Sequence, residues 1–552
     1  MPAETLRGPP LGGRMPPNNR HALISSLSTW ESSGAIARGE EWVTGKMQTG
    51  YPRFFMNEPV RQLNKAILTR LGLSKDSKIT CMVFVSAQAA KRCMDLLSKS
   101  VTDGSKALCV HFSQPEEKTI DGFWAQFYVV IYSTHHSTIA SRYWRDSGDG
   151  ISTRHAEFCL LWFEYLESKS SNRDFCTPPI KQLDSKSKLM RLGTSGFAEE
   201  TAIKQDIANL AQSEQLGHGP AATSDIFLYP GGMSAISAVA RALAGPYTRS
   251  GVAAFGYLYT ETFNILESNW QGLITYPHGT PEDLDDLGAL LESGLRIDAL
   301  WTEVPGNPKL VTPDMHRIRQ LADKHRFIVI CDETVGTFIN TDLLPYVDVL
   351  VTSLTKMYSG RCDVTGGSVI VNPKSPSYGY LHRQLRHSYE ATFFPSNLAV
   401  LHENSRDFVE RVQLTNHNAK AVADLLTAHP TVEKVNYPSI TTPDMYERYR
   451  RERGGYGHLL SVIFKRPVSA ARFYNTFEGC KGTSFGTIFT LLTAYAQFGT
   501  QTQQDEMARH GIPSHLVRVS VGVEDLNGIL AAITRALKKV EQLETSMCMD
   551  KH

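Results

Sequence analysis

The sequence predicts an α/β protein. A large doubly wound domain with a mostly parallel sheet is followed by a smaller α+β domain and preceded by an N-terminal α/β extension. Three observations carry this. From about residue 201, short apolar strands alternate with helical stretches. Those strands are continuous apolar runs, as expected of a parallel sheet covered on both faces. A chain of 552 residues has room for about three cores of roughly 100–200 residues.

The elements follow in order. Residues 1–20, MPAETLRGPPLGGRMPPNNR, are rich in Pro, Gly and Asn and read as a disordered tail. They hold no apolar segment of the secretory kind. An extension is placed at 21–180. ITCMVFVS (79–86) reads as a strand, AQAAKRCMDLLSKS (87–100) as a helix, and ALCVHFS and FWAQFYVVIYS as further strands. Thr153 to Glu167 looks helical, and the polar stretch 168–200 reads as a linker. The large domain, placed at 181–385, runs DIFLYP, GMSAISAVARAL, ALWTEVP, a helix through 313–325, FIVICD, VDVLVTS and GSVIVNP. The last unit, 386–552, opens with one long helix from Asn397 to Leu426. Strands near 458–464 and 515–521 follow, then a closing helix at 525–545.

Composition excludes several classes. Lys+Arg 57 against Asp+Glu 56 gives a net charge of +1, so bulk attraction to nucleic acid or anionic lipid is not expected. The nine cysteines are scattered, with no C-x-x-C pair, which suits free thiols in a reducing compartment. No apolar run approaches the roughly 18 residues of a membrane span. A cytoplasmic protein acting on small molecules is the expectation.

Five segments can carry chemistry. In VLVTSLTKMYSG (349–360) a strand ends and Ser353, Thr355 and Lys356 follow at once, where ligands gather in open α/β sheets. Two hydroxyls and an amine suit a phosphate beside a reactive carbonyl, because a lysine amine can form a Schiff base. A solvated lysine after a strand is the plain alternative. FIVICDET ends a second strand at Asp332, 24 residues before Lys356, which leaves room for one connection and one strand. A carboxylate beside a pyridinium nitrogen holds that nitrogen protonated, although Asp332 could equally bind a metal or cap a helix. In LYPGGMSAISAVARAL two glycines precede a helix, a place for an anion or an ordinary turn. Tyr259 leaves an apolar strand and could stack on a planar ring or simply pack. Arg518 interrupts the strand-like HLVRVSVGVED; inward, it suits a carboxylate.

Taken in order, Gly-Gly-Met, Tyr, E-V-P-G-N-P, Asp, S-L-T-K, S-F-G and R-V-S-V-G-V-E-D resemble the cystathionine γ-synthase branch of pyridoxal-phosphate (PLP) enzymes. The likeness covers roughly 200–552, with family-like sequence at 21–63 (HALISSLSTW, GYPRFF), and is nearest to the fungal type. It implies a PLP-dependent transferase of fold type I. It also implies that Lys356 binds the cofactor covalently, that Asp332 faces the pyridine nitrogen and that Tyr259 stacks on the ring. Gly232, Met233, Ser353 and Thr355 match phosphate donors, and Asn307 matches a side chain near the phenolic oxygen. Arg518 matches the holder of the substrate carboxylate, with Ser484 beside it. No metal is implied. Homo-oligomers, dimer or tetramer, with shared active sites are expected.

Departures accompany the likeness. The family's Ser-Gly-Met begins here with Gly231. Its Tyr-x-Arg, given across a dimer interface to the phosphate, is missing from the window MRLGTSGFAEE. Tyr51 and Arg53 have the right chemistry but lie 178 residues before Tyr229, and Arg191 is a rival. TFFPSNLAVL (392–401) and LLTAYAQ (491–497) also differ, which hints at an altered second-substrate pocket or at drift. The expected reaction is γ-replacement on an O-acyl-L-homoserine through a β,γ-unsaturated intermediate, with cysteine giving cystathionine. A carbon nucleophile such as a β-keto acid, or a γ-lyase, is the alternative; a non-catalytic descendant is a third class.

Overall fold

Three sheets carry the architecture of the computed structural model, which describes residues 8–52, 54–100, 107–115, 124–182, 196–215, 217, 219–244 and 251–549. Ahead of them, β1 (Arg14–Met15) pairs antiparallel with β2 (Ile24–Ser25). From Gly8 onward the expectation of a loose tail therefore fails. Met15 is fully buried with Leu23 and Ile24 against Cys480 and Leu491 of the C-terminal unit, and this apolar anchor outweighs the flexible composition around it.

The extension contains α1 (Glu58–Arg70), β3 (Ile79–Phe84), α2 (Ala87–Ser100), β4 (Leu108–Ser113), β5 (Phe127–Ser133), α3 (Ser137–Ser147), α4 (Thr153–Trp162) and β6 (Glu167–Ser170). Its four strands lie antiparallel in the order β3-β5-β4-β6. Successive side chains of a strand point to opposite faces, and both faces of β5 are covered. Phe127, Val129 and Ile131 meet Leu63 and Ile67 of α1 and Trp162 of α4. Val130 and Tyr132 meet Ala90, Cys93 and Leu97 of α2. The helix expected over Thr153 to Glu167 ends at Trp162; a short turn follows and Glu167 starts β6, held by pairing with β4.

The central sheet holds β7 (Ile226–Tyr229), β8 (Gly251–Phe255), β9 (Leu273–Tyr276), β10 (Ile297–Glu303), β11 (Ile328–Asp332), β12 (Val349–Thr352) and β13 (Gly367–Val371). Their order is β7-β13-β12-β11-β10-β8-β9. All pairings are parallel except those of β13. Apolar cores cover both faces, which is why its strands lack alternation. One helix, α5 (Gly232–Leu243), follows β7 directly.

The single helix expected from Asn397 to Leu426 is two, α6 (Pro395–Ser405) and α7 (Phe408–Thr427). Arg411, buried in the first turn of α7, donates to the Asn404 carbonyl, which a continuous helix would have bonded itself, and to the carbonyls of Met357 and Tyr358 in the lysine-bearing loop. Beyond α7 come β14 (Val432–Asn436), β15 (Leu459–Phe464), β16 (Cys480–Lys481), β17 (Leu491–Ala494), β18 (Val517–Ser520) and α8 (Leu526–Met549). Their sheet order is β14-β15-β18-β17-β16. No helix among the described residues is long and apolar enough to cross a membrane.

Candidate active site

The carboxyl ends of β11 and β12 are adjacent and in register, with Asp332 opposite Val351. The spacing between Asp332 and Lys356 thus resolves into two neighbouring strand ends. Asp332 is held from its own turn: the Thr334 hydroxyl donates to Oδ1 at 2.6 Å and the Thr334 amide at 2.8 Å. The same hydroxyl accepts from the amide of Ser353 at 2.8 Å, so one side chain ties the carboxylate to the lysine-bearing loop. Thr334, two residues beyond Asp332, was not read from the sequence.

Lys356 reaches across to the C-terminal unit. Its Nζ donates to Ser484 Oγ at 2.7 Å and lies 4.9 Å from the centre of the Phe485 ring and 4.6 Å from that of Tyr51. Ser484 holds a left-handed backbone, φ 86°, a strained state for a non-glycine residue. Its carbonyl accepts from Arg518 Nη2 at 2.6 Å. Arg518 points inward from β18, is 5% exposed, and donates to Asn307 Oδ1 at 3.1 Å. The rings of Phe485 and Tyr495 face its guanidinium at 5.1 and 5.2 Å. Burial pulls the Arg518 pKa down to about 10, so it stays charged at neutral pH.

The segment expected to hold an anion falls at the start of α5. Gly231 caps it without a side-chain bond, leaving the first-turn amides of Gly232 and Met233 without an intrahelical acceptor. A Cβ on Gly232 would sit 2.8 Å from Ser353 Cβ; only glycine lets the two segments approach this closely. The Met233 side chain is core. The Thr355 hydroxyl bonds Gly366 in both directions, so in this structure it braces the loop.

Tyr259 starts helix Thr260–Asn269 and gives its amide to Glu303. Glu303 is buried beside Asp332 in the β10–β11 register. Burial and that neighbour push the Glu303 carboxyl well up. Burial raises Asp332 too, but the Thr334 bonds and Lys356 oppose this, so Asp332 is the better seat for the negative charge. The donor set fits pyridoxal phosphate: amides and hydroxyls at one end, a carboxylate for the ring nitrogen, an amine for the aldehyde, and an arginine for a carboxylate of the substrate.

The structure thus brings Tyr51, Gly232, Met233, Tyr259, Asn307, Asp332, Ser353, Thr355, Lys356, Ser484 and Arg518 around one locus. Tyr51 reaches Lys356 within a single chain. Arg53 and Arg191 lie outside the described residues. Of the two divergent segments, 491–497 lines the site, since Tyr495 faces Arg518 and the Thr493 hydroxyl accepts from it at 3.4 Å. The other meets it through Asn397, which lines the cleft beside Gly231 and Gly232, whereas Phe394 is 3% exposed and packs into the extension's core, stacked on His155 at 4.4 Å.

The chain resembles known proteins over most of its length. The profile of the Cys/Met metabolism PLP-dependent enzymes matches residues 201–538, and that of the fungal trans-sulfuration enzyme N-terminal domain matches 59–152. The chain is 41% identical over 542 residues to cystathionine gamma-synthase-like protein ankD of Aspergillus thermomutatus, across 97% of this chain and 95% of that one. It is 34% identical to cystathionine gamma-synthase of Neurospora crassa, across 96% and 98%. Among solved structures, cystathionine gamma synthase from Xanthomonas oryzae pv. oryzae in complex with aminoacrylate and cysteine matches with a TM-score of 0.54. That likeness has 22% identity over 67% of this chain and 95% of that one, and shows the shared fold.

Proposed function

We propose, for a chain that belongs to the Cys/Met metabolism PLP-dependent enzymes of the fungal cystathionine γ-synthase type, that it catalyses γ-replacement on an O-acyl-L-homoserine, with cysteine as the nucleophile. The products are cystathionine and the free carboxylic acid. The observation that carries this reading is the pairing of Lys356 with an inward arginine. Through Ser484 the amine and the Arg518 guanidinium are bonded to one residue.

Pyridoxal phosphate supplies, when bound, a sink for the electrons left at Cα and Cβ of an amino acid. The chain's own groups do the rest. Arg518 holds the substrate carboxylate, and the low dielectric between two aromatic rings strengthens that attraction. Lys356 Nζ takes the α-proton and moves protons at Cβ, its position set by Ser484 Oγ. Asp332 keeps the pyridine nitrogen protonated. The rings of Tyr51 and Phe485 flank the amine and fix where it can reach.

A second reading, in which a carbon nucleophile such as a β-keto acid attacks Cγ, draws on two observations. Identity is higher to a synthase-like protein, 41%, than to the Neurospora synthase, 34%, and the divergent 491–497 segment lines the site. Mass spectrometry of products from O-acetyl- and O-succinylhomoserine, offered cysteine, other thiols or β-keto acids, separates the readings. Cystathionine supports the first and a carbon adduct the second. Keto acid and ammonia regardless of nucleophile would mean a lyase and refute both. Assembly into homo-oligomers with shared sites is proposed with this function.

A further inference from the structure

The cleft beside Gly231 and Gly232 is not closed by the central unit alone. One of its walls is the α3–α4 connection of the extension, including Gly148 and Ser152, together with Arg154 at the start of α4. The Ser234 hydroxyl donates to the Gly148 carbonyl at 2.9 Å, which pins this connection over the first turn of α5. A Cβ on Gly148 would come within 2.7 Å of Ser234 Oγ, so the approach depends on glycine. Both α4, starting at Thr153, and α5 begin at this cleft.

Arg154, in the first turn of α4, has a side chain only 13% exposed. Its Nη1 donates to the backbone carbonyl of Asp363 at 2.6 Å, while Nη2 stands 3.8 Å from the Asp363 carboxylate. That is well beyond the roughly 2.8 Å of a charge-assisted hydrogen bond. The Asp363 carboxylate has other donors, Asn404 at 2.9 Å and Asn19 at 3.2 Å. The arginine is therefore anchored by one nitrogen, and the carboxylates of Asp363 and Glu157 act on its charge without a hydrogen bond to it among the described residues. His21, on the same cleft, is pushed down to about 4 by burial and by Arg154; it is neutral and does not add to the charge. A dianion seated at the start of α5 needs a cation, and among the described cleft-lining residues Arg154 is the arginine or lysine present.

We propose that Arg154, from the N-terminal extension, is a phosphate-binding residue that neutralises the cofactor's phosphate over Gly232. This rests on the placement of that phosphate at the first turn of α5. The extension is then part of the cofactor site, and holding the cofactor and holding the extension in place are one property.

The test uses the full-length protein stripped of cofactor and titrated with pyridoxal phosphate and, separately, with pyridoxal, which lacks the phosphate. Binding is read by absorbance and fluorescence quenching, without turnover. Arg154→Gln is expected to weaken pyridoxal phosphate binding roughly 10- to 100-fold, as loss of a charge-assisted contact does, and to leave pyridoxal binding within about twofold. Equal weakening of both, or of neither, would overturn the proposal and leave Arg154 as a staple to Asp363. If Arg154→Gln does not fold, Arg154→Met keeps the apolar stem and removes the charge; unchanged preference for the phosphorylated form in that variant would be equally fatal. Wild-type protein that binds both forms alike would instead refute the phosphate placement itself.

Discussion

Replacing Arg518 by lysine keeps the charge and removes the geometry, so it measures what the fork contributes. In the structure one nitrogen of the guanidinium is held by Asn307 and another by Ser484, with Phe485 and Tyr495 on its faces. Hydrogen bonds to charged groups contribute about 1.5–3 kcal/mol each. A lysine ammonium makes one contact to a carboxylate where the fork makes two, so about 2 kcal/mol of binding is lost, roughly a 30-fold rise in KM for the O-acylhomoserine. A pH signature accompanies it. Burial holds Arg518 near 10, so the wild-type KM should stay flat from about pH 7 to about pH 9. Burial also lowers a lysine, whose ordinary value is about 10.4. As pH rises through that lowered value the ammonium loses its proton, the carboxylate loses its counter-charge, and KM climbs. Steady-state kinetics against pH is the assay. A KM in Arg518→Lys that matches wild type at every pH would remove Arg518 from the substrate's carboxylate.

Three further outcomes are expected. Lys356→Ala should abolish both the visible absorbance of the cofactor-loaded protein and turnover; full activity in that variant would end the proposed mechanism. Thr334→Val keeps shape but removes a bond to the charged form of Asp332 and the acceptor of the Ser353 amide. Leaving that amide unpaired costs about 1–3 kcal/mol, and kcat should fall with KM little changed, whereas an unaltered kcat argues against a role for Asp332. Trp162→Ala, which empties a fully buried site in the extension, should cost about 3–5 kcal/mol. Hydrogen exchange should then rise first in β3–β6, and uniform loss of protection across all three sheets would show that the extension does not unfold as its own unit.

Much of the central unit was legible because a doubly covered parallel sheet writes its strands as apolar runs, and FIVICD and VDVLVTS end where their chemistry begins. The spacing between Asp332 and Lys356 held the adjacency of β11 and β12. Strand β9, LITY, was missed because it sits at the sheet edge, partly exposed. The two-residue β16 carries too little pattern to read. The break between α6 and α7 depends on where Arg411 points, which periodicity does not encode. Tyr51 was singled out by its chemistry, yet its approach to Lys356 spans the whole extension and could only come from tertiary packing. Within the divergent TFFPSNLAVL, Phe393 and Phe394 are core residues while Asn397 reaches the cleft, a split that only tertiary packing decides.

The dipeptide Ser484–Phe485 touches both cations of the site: the hydroxyl binds one, the carbonyl the other, and the ring faces both. Neither cation can be relocated without dragging its companion. A substitution at Ser484 or Phe485 therefore perturbs both groups at once, whereas one at Tyr495 reaches Arg518 alone and one at Tyr51 reaches Lys356 alone among the described ring contacts.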